Sequence, residues 1–361
     1  MNDFDMKDRM KEKIDFISSS DNKDFSIPEI ESFTVEFHLG DLCNYNCSYC
    51  LHRNHKDDCL DDVIPFFKRI KEESDFISQI EKINRKVNIG FMGGEPTMYP
   101  LKEIIDTLSI HKVSKYTIIT NLSKDKAYFE NLINTIDRYN ENTILSLSCS
   151  FHEEFTTKEK FIERFLEIST IRNIDIRLAP IVVTQKNYDI CMDFSEYFHR
   201  KVDLNKFNIM FVEARTDRNN HSFTELTEYQ KSQIRSSFSK KEKSANKFIH
   251  LSNNDVLEVP SIKNIHLFYP ELSVKDMYCS FVYERHHIYL SKNGNVSSNF
   301  RCGNIYLGNL FDGTYDIDRY RYSKCLYDYC PCFNPSLLVS EDIYKPDDNV
   351  VLKNELILTE D

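Results

Sequence analysis

The sequence predicts an α/β fold built around a parallel β-sheet. Short apolar runs rich in β-branched residues recur along the chain, and longer amphipathic segments separate them. Six strands joined by five helices fit either an open doubly wound sheet or a barrel, and spacing alone does not separate the two. The predicted strands cover residues 33–40, 87–92, 115–120, 143–150, 175–183 and 206–213, and the predicted helices cover about 60–83, 101–112, 125–139, 157–172 and 187–200.

Composition divides the chain into five predicted segments. The first is a polar, charged lead-in, and the second holds the alternating strands and helices. The third is a charged connection with a predicted helix at 223–242, and we expect it to lie near the substrate. The fourth is rich in Tyr, Asn, Gly and Cys, and the last is an acidic tail. In order, the segments span residues 1–32, 33–216, 217–278, 279–335 and 336–361.

Charge and hydropathy argue against several classes of protein. Apolar residues make up 41% of the 361 residues, which is enough for a sizeable core. The formal net charge is −11 with no long Lys/Arg block, which argues against a non-specific nucleic-acid binder. No stretch approaches the roughly 20 apolar residues of a membrane span, and the charged N-terminus lacks the apolar region of a signal peptide. We therefore expect a soluble cytoplasmic protein with no membrane partner.

A C-x3-C-x2-C run follows the first predicted strand and contains Cys43, Cys47 and Cys50. Three thiols within one short loop can bind three corners of a cubane iron–sulfur cluster, whereas clusters that only transfer electrons usually have four thiolates. A missing fourth ligand leaves one iron open to a small molecule. The run therefore indicates chemistry at the iron. Three isolated cysteines are interpreted as ordinary buried or half-buried residues, and these are Cys59, Cys149 and Cys191.

The second predicted strand ends in Phe91-Met-Gly-Gly-Glu-Pro. Gly93 and Gly94 allow the backbone to approach a ligand closely. Glu95 adds an acceptor for an ammonium group, and Pro96 is suited to open the next helix. Taken alone, this run fits a tight turn equally well. One strand after the cysteine run, it favours a shared ligand site.

These residues together resemble the radical S-adenosylmethionine (radical SAM) superfamily. The resemblance rests on the three cysteines, on Tyr49 before the third of them, and on Gly93–Pro96, and it covers about residues 33–213. It implies a partial (β/α)6 TIM-like barrel with its active site at the C-terminal ends of the strands. It also implies a [4Fe–4S] cluster whose open iron binds S-adenosylmethionine. Reductive cleavage would then produce a 5′-deoxyadenosyl radical that abstracts a substrate hydrogen, with electrons from a low-potential donor of the flavodoxin or ferredoxin type.

The resemblance also implies contacts to S-adenosylmethionine near the cysteine run. Gly93, Gly94 and Glu95 are expected to meet the methionine ammonium group, and Tyr49 is expected on the adenine side through its backbone.

Further contacts are proposed at the ends of later strands. Asn121 ends the third strand, and Ser148 and Ser150 lie on the fourth, where the family often places ribose contacts. Arg177 on the fifth strand is a candidate clamp for the methionine carboxylate. The alternative for each is an ordinary polar residue near a strand end.

Residues after the fourth and sixth strands are candidates for substrate binding or proton transfer. His152 follows the fourth strand, in the run His-Glu-Glu, and Glu213 and Arg215 end the sixth. A solvated loop is the alternative for each. His286 and His287 are adjacent on a strand-like run, so we expect their side chains on opposite faces.

Five late cysteines form a second group. A predicted hairpin with strands at 286–290 and 295–300 turns at Asn293-Gly294, which can bring distant cysteines together. Four thiolates also suit zinc. The region resembles the SPASM and twitch extensions of the same superfamily, although the full SPASM pattern has seven cysteines. The resemblance implies one auxiliary [4Fe–4S] cluster. Its candidate ligands are Cys279 and Cys302 with two of Cys325, Cys330 and Cys332, of which Cys330 and Cys332 are preferred.

The sequence thus predicts a radical SAM enzyme. Within the family, such extensions accompany modification of peptides or proteins, which is the preferred interpretation. The enzymatic alternative is radical oxidation or rearrangement of a sugar, a nucleoside or another small alcohol. The non-enzymatic alternative is an iron–sulfur redox or sensor protein, which needs neither an open iron nor the Gly-Gly-Glu-Pro run.

Overall fold

The structure is a computed structural model, and it describes the following parts of the chain. These are residues 32–50, 60–203, 207–214, 226–237, 246–250, 256–260, 278–279, 285–289, 294–298, 306–317, 323–324 and 337–339. None of the helices within these ranges is long and apolar enough to cross a membrane.

The central sheet has nine strands. Their bounds are β1 Ser32–His38, β2 Lys86–Met92, β3 Val113–Thr120, β4 Ile144–Cys149, β5 Ile174–Val183, β6 Asn208–Glu213, β10 Arg285–Tyr289, β11 Asn295–Ser298 and β12 Tyr306–Asn309. The order across the sheet is β12-β11-β10-β1-β2-β3-β4-β5-β6. Strands β10 and β1 to β6 are parallel to one another. Strand β11 pairs antiparallel with β10, and β12 pairs antiparallel with β11.

Strands β1 to β6 are adjacent in the order of the chain. A doubly wound sheet reverses its strand order and covers both faces with helices. Here each crossover steps to the next strand in the same direction, so right-handed connections place the helices on one face. The predicted α/β class with a mostly parallel sheet is confirmed, and this topology is consistent with a partial barrel.

The helices between these strands lie close to the predicted positions. One predicted helix is wrong, because 60–83 forms two helices instead of one. The chain breaks at Ser74, whose backbone is extended and whose hydroxyl donates to the Ile70 carbonyl. Short polar side chains of this kind compete with the helical hydrogen bonds. The helix bounds are α1 Val63–Glu73, α2 Phe76–Lys82, α3 Leu101–Leu108, α4 Lys126–Asp137, α5 Lys158–Ile168, α6 Tyr188–Lys201 and α7 Glu228–Ser237.

The two faces of the sheet differ in polarity. On β1, Phe33, Val35 and Phe37 are buried, and the Phe37 ring packs edge-on against Phe67 of α1 at 5.0 Å. Side chains alternate between the faces of a strand, so Glu36 and its even-numbered neighbours face the other way. Strand β4 repeats the pattern, with buried Leu145, Leu147 and Cys149 alternating with half-buried Ser146 and Ser148. The helices thus cover an apolar face, and the inner face of the sheet is polar.

The late hairpin is part of the central sheet. β10 and β11 pair antiparallel as predicted, and β10 also pairs in parallel with β1. Glu36 of β1 joins them, because its carboxylate contacts Arg285 at 3.3 Å and His287 at 2.6 Å. His286 points the opposite way and contacts the Tyr315 hydroxyl at 3.0 Å. The prediction that the two histidines face opposite sides is confirmed.

A second sheet contains five short strands. Their bounds are β7 Asn246–His250, β8 Val256–Pro260, β9 Tyr278–Cys279, β13 Ser323–Lys324 and β14 Leu337–Val339. The order across this sheet is β13-β9-β14-β7-β8. Sequence analysis predicted only a helix in the connection 217–278, and the strands β7 and β8 were missed. Cys279 lies on β9, opposite Ser323 and Leu338. The domain boundaries stay a prediction.

Candidate active site at the strand ends

Two loops meet at the C-terminal ends of β1 and β2. The first runs from Leu39 into the cysteine run, and the second contains Gly93 and Gly94. Backbone hydrogen bonds tie them together, from Leu39 N–H to the Met92 carbonyl at 2.9 Å and from Gly94 N–H to the Gly40 carbonyl at 2.9 Å. The two motifs that the sequence singled out are therefore one structural unit.

The two glycines are required by this close approach. A Cβ on Gly93 would lie 2.2 Å from the Gly40 carbonyl oxygen, and one on Gly94 would lie 2.4 Å from that of Leu42. Gly93 also has φ +136, a conformation that other residues rarely adopt. Sequence analysis expected the glycines to make room for a ligand. In the structure they make room for the backbone that leads into Cys43.

Glu95 links this loop to the end of β3. Its side chain is 1% exposed. Oε1 accepts hydrogen bonds from the Thr97 amide at 3.0 Å, the Thr97 hydroxyl at 2.6 Å and the Thr120 hydroxyl at 2.8 Å. Oε2 accepts one from the Asn121 amide at 2.6 Å. Each carboxylate oxygen has about two acceptor positions, and Oε2 accepts one of these four hydrogen bonds, so Oε2 has room for one further donor such as an ammonium group.

The three cysteines of the first run are free thiols. Burial is the main cause that raises the pKa of Cys43, and it raises the pKa of Cys47 to about 12. The negative charge that Cys50 would carry raises both pKa values further, which shows that the thiols lie within electrostatic range of one another. Bound iron would reverse this effect, because a coordinating thiol loses its proton.

Nitrogen atoms lie within hydrogen-bond range of the Cys43 and Cys47 sulfur atoms. The backbone N–H of Tyr45 donates to Cys43 Sγ at 3.4 Å, and the Asn121 side-chain amide lies 3.9 Å from the same atom. His152 Nδ1 lies 3.4 Å from Cys47 Sγ. Hydrogen bonds to sulfur are one of the means by which proteins adjust the potential of an iron–sulfur cluster.

The loop after β4 packs against the cysteine run with three consecutive side chains. His152 contacts both Cys47 and the Tyr49 hydroxyl, the latter at 3.1 Å. Glu153 accepts a hydrogen bond from the Tyr49 hydroxyl at 3.1 Å. Glu154 accepts hydrogen bonds from the Ser48 backbone N–H at 2.8 Å and from the Ser48 hydroxyl. This loop is therefore an ordered part of the site.

Burial of the His152 ring has an electrostatic consequence. It lowers the pKa of His152 to about 4, and the nearby Glu154 carboxylate offsets only part of this effect. The imidazole is therefore neutral at pH 7, and its nitrogens act as one donor and one acceptor. Sequence analysis expected His152 to bind substrate or move a proton. In the structure its ring contacts the cysteine loop.

The structure also places five other predicted residues, some through a hydrogen bond and some only as a position on a strand. The Asn121 amide donates to Asn44 at 2.8 Å, inside the cysteine run. Ser148 lies on the polar inner face of β4, and the Ser150 backbone N–H donates to the Thr120 carbonyl at 2.8 Å. Arg177 and Glu213 are placed as backbone positions on β5 and β6. Each role in binding S-adenosylmethionine or substrate stays a prediction.

Several predicted residues lie outside the part of the chain that the structure describes. Arg215 is one of them, so its role at the end of β6 stays a prediction. The same holds for most of the proposed auxiliary cluster, in which Cys279 is placed as a backbone position on β9 only. The late cysteines outside the described residues are Cys302, Cys325, Cys330 and Cys332.

Four residues of the site were missed by sequence analysis. Thr97 has a local signal, since a hydroxyl two residues after Glu95 in a Glu-Pro-Thr run can bond back to the carboxylate. Thr120, Ser48 and Asn187 have no such signal. Each binds a partner more than 20 residues away, and the Asn187 amide donates to Glu153 at 2.8 Å.

The donor set of the first cysteine run fits an iron–sulfur cluster. Among the described residues, no three His, Cys, Asp or Glu side chains converge in a way that could hold a single metal ion. A cubane cluster does not require such convergence, because each thiolate binds a different iron. Cys43, Cys47 and Cys50 would hold the cluster, and the Gly93–Glu95 loop lies directly beside them.

Comparison with known proteins agrees with this interpretation. Residues 38–174 match the Radical SAM superfamily. A curated relative, the S-adenosylmethionine-dependent nucleotide dehydratase of Selenomonas ruminantium, is 26% identical over 171 residues. The aligned part is 44% of this chain and 59% of the relative. The chain therefore spans less than two thirds of that relative's length.

Solved structures show weaker likeness. Native anSMEcpe with bound AdoMet and Cp18Cys peptide has 14% identity and a TM-score of 0.46, covering 78% of this chain and 79% of that one. Streptococcus suis SuiB bound to S-adenosylmethionine has 14% identity and a TM-score of 0.44, covering 73% and 60%. At this distance neither structure carries an argument about substrate. Residues 38–174, which match the superfamily, contain the cysteine run and the Gly93–Glu95 loop at one edge of the sheet, so this part of the chain resembles a radical SAM domain.

Proposed function

We propose that this protein is a radical SAM enzyme in which Cys43, Cys47 and Cys50 hold a [4Fe–4S] cluster. When bound, the cluster and S-adenosylmethionine would supply a reductively generated radical that abstracts a hydrogen atom from the substrate. The observation that carries the proposal is the contact between the two motifs. The three-thiol loop and the Gly93–Glu95 loop are hydrogen-bonded neighbours at one end of the sheet.

The surrounding residues have definable roles in this proposal. Thr97, Thr120 and the Asn121 amide hold the Glu95 carboxylate beside the cysteine run, with capacity left on Oε2 for the methionine ammonium group. Ser148 supplies a hydroxyl on the inner face, where the ribose contact is proposed. The sheet and its helices exclude water from the outer face, and the polar inner face suits a hydrophilic substrate.

Two substrate classes are retained. Modification of a peptide or protein stays the interpretation that the late cysteines suggested, and it depends on the proposed auxiliary cluster. A nucleotide or nucleoside is the second candidate, because the curated relative is named as a nucleotide dehydratase. In either case a low-potential donor of the flavodoxin or ferredoxin type is proposed as the electron source.

The reaction is tested with protein reconstituted with iron and sulfide under nitrogen. Incubation with S-adenosylmethionine and dithionite should release 5′-deoxyadenosine, and the C47A variant should release none. The matched control is C191A, because Cys191 is a buried thiol on α6 whose sulfur contacts the Val182 carbonyl. Absence of 5′-deoxyadenosine from the loaded wild-type protein, with nucleotides and peptides both tried as substrates, would contradict the proposal.

The auxiliary cluster is tested by composition. One [4Fe–4S] cluster contributes about four irons and two contribute about eight. Wild-type protein should therefore bind about eight irons per chain, and a C43A/C47A/C50A variant about four. About four irons in the wild type and none in the triple variant would remove the auxiliary cluster while leaving the radical SAM proposal intact.

A further inference from the structure

We propose that His152 is a positioning residue that donates a hydrogen bond from Nδ1 to the Cys47 sulfur and thereby raises the reduction potential of the bound cluster. The inference rests on the proposed function, since it requires a cluster on Cys43, Cys47 and Cys50. It differs from the sequence-based candidate roles, in which His152 binds substrate or moves a proton.

The contact joins residues that are 105 positions apart in the chain. His152 Nδ1 lies 3.4 Å from Cys47 Sγ and 3.1 Å from the Tyr49 hydroxyl oxygen. The ring is held on two sides. Tyr49 stacks on it with an interplanar angle of 12° at 6.1 Å, and Tyr45 meets it edge-on at 5.9 Å.

The hydrogen-bond network determines which ring nitrogen carries the proton. The Tyr49 hydroxyl donates to Glu153 Oε2 at 3.1 Å and also forms a hydrogen bond with the Cys47 sulfur. Its single proton is used by these partners, so its oxygen is an acceptor toward His152. Nδ1 is therefore the nitrogen that carries hydrogen, and the same N–H faces the Cys47 sulfur.

The network is anchored to the body of the fold at its far end. The Asn187 side-chain amide donates to Glu153 Oε1 at 2.8 Å and to the Val182 carbonyl at 3.0 Å. Its oxygen accepts from the Thr184 backbone N–H at 2.7 Å. Asn187 is 6% exposed, so the anchor is shielded from water. The series Asn187, Glu153, Tyr49, His152 and Cys47 thus runs from a strand end to a proposed iron ligand.

The direction of the effect follows from charge. A reduced cluster carries one more negative charge than an oxidised one, and much of that charge resides on sulfur. A hydrogen bond to a ligating sulfur stabilises the reduced form and raises the potential. Removing the donor should therefore make the cluster harder to reduce.

The test measures the midpoint potential of the reconstituted cluster by titration followed by electron paramagnetic resonance. H152F retains the aromatic contacts but has no donor, and H152A removes the ring as a second way of losing the donor. H152N places an amide N–H near the Nδ1 position. We expect a more negative potential in H152F and H152A and a potential near the wild-type value in H152N. The control is H199F, because His199 is a half-buried histidine on α6, and it should leave the potential unchanged.

A measurement on the wild-type protein covers the case in which variants lose the cluster. Protein labelled with ¹⁵N-histidine should show a nitrogen coupling to the reduced cluster in pulsed electron paramagnetic resonance. The coupling should vanish in labelled H152N. A loaded wild type with no histidine coupling, or equal potentials in the wild type and H152F, would overturn the inference and leave the radical SAM proposal standing. A wild-type protein that binds no cluster would instead contradict the proposed function itself.

Discussion

The contact between Gly94 and the chain leading to Cys43 can be tested by adding a single methyl group. In G94A the new Cβ would lie 2.4 Å from the Leu42 carbonyl oxygen and 2.5 Å from that of Asp41. Both are backbone atoms, so no side chain can rotate away. Overpacking of this kind costs about 1–3 kcal/mol.

Separation of the two loops also breaks hydrogen bonds. Gly94 N–H donates to the Gly40 carbonyl at 2.9 Å, and Glu95 N–H donates to that of Leu42 at 2.8 Å. Each contributes about 0.5–1.5 kcal/mol. The total destabilisation expected for G94A is therefore about 2–6 kcal/mol, a large fraction of the roughly 5–15 kcal/mol by which domains are usually stable.

Two further glycines separate crowding from backbone strain. Gly313 has φ +74, and among the described residues other than its two chain neighbours no atom lies within 4 Å of the position that a Cβ would take there, so G313A should lose only about 1–2 kcal/mol to strain. Gly93 has φ +136, and a Cβ there would lie 2.2 Å from the Gly40 carbonyl oxygen. G93A should therefore be the least stable of the three.

The assay is urea denaturation of the metal-free protein under reducing conditions, followed by circular dichroism. Iron retained after reconstitution and desalting is the second measurement, because the loops can open locally without global unfolding. G93A and G94A should lose iron, and G313A should retain it. If G94A matches the wild type in both measurements, or if G313A costs as much as G94A, the close approach does not hold the site together.

Three further substitutions test other contacts. T120V keeps the shape of the side chain but removes the hydroxyl that donates to buried Glu95, so it should lower the free energy of unfolding by about 1–3 kcal/mol, measured by denaturant titration. E36A removes the carboxylate that contacts Arg285 and His287 on β10; we expect a loss of about 3 kcal/mol in the free energy of unfolding and faster amide hydrogen exchange in β10, and wild-type exchange there would contradict the role of Glu36. R138A removes the exposed ion pair with Asp106 and should cost less than about 1 kcal/mol, so a larger loss in the same titration would show that the pair is better shielded than its exposure indicates.

The sequence predicted most of the fold because its signals are local. The alternation of apolar residues on β1 and β4 identifies a strand with one buried face from a few neighbouring residues. The split of the first long helix depended on Ser74, whose hydroxyl bonds to the Ile70 carbonyl. Amphipathic spacing continues across such a break, so the pattern alone predicts one helix.

The strands in residues 217–278 show a different limit. β7 and β8 belong to the second sheet, where β7 pairs with β14 near the end of the described chain. The stability of short strands comes from their cross-strand partners. A charged segment with no strong alternation therefore gives little indication of its partner.

In the candidate site, too, local patterns were predicted from the sequence and long-range contacts were not. The spacing of Cys43, Cys47 and Cys50 and the Gly-Gly-Glu run are local patterns, and they were sufficient to indicate a cluster loop and a neighbouring ligand loop. The sequence identified His152 as a candidate for substrate binding or proton transfer, with a solvated loop as the alternative. Its proximity to Cys47 depends on the path of the chain after β4, which no pattern around position 152 contains.

What the sequence determined by itself was the chemistry available within short stretches: three thiols on one loop, two glycines followed by a carboxylate, and strands with one apolar face. Tertiary structure alone decided which stretches meet. It placed β10 beside β1 through Glu36, directed the Glu95 carboxylate to Thr120, and brought His152 to Cys47. The physical reason is that local patterns depend on neighbouring side chains, whereas these contacts depend on strand order and register, which are set by packing of the whole sheet.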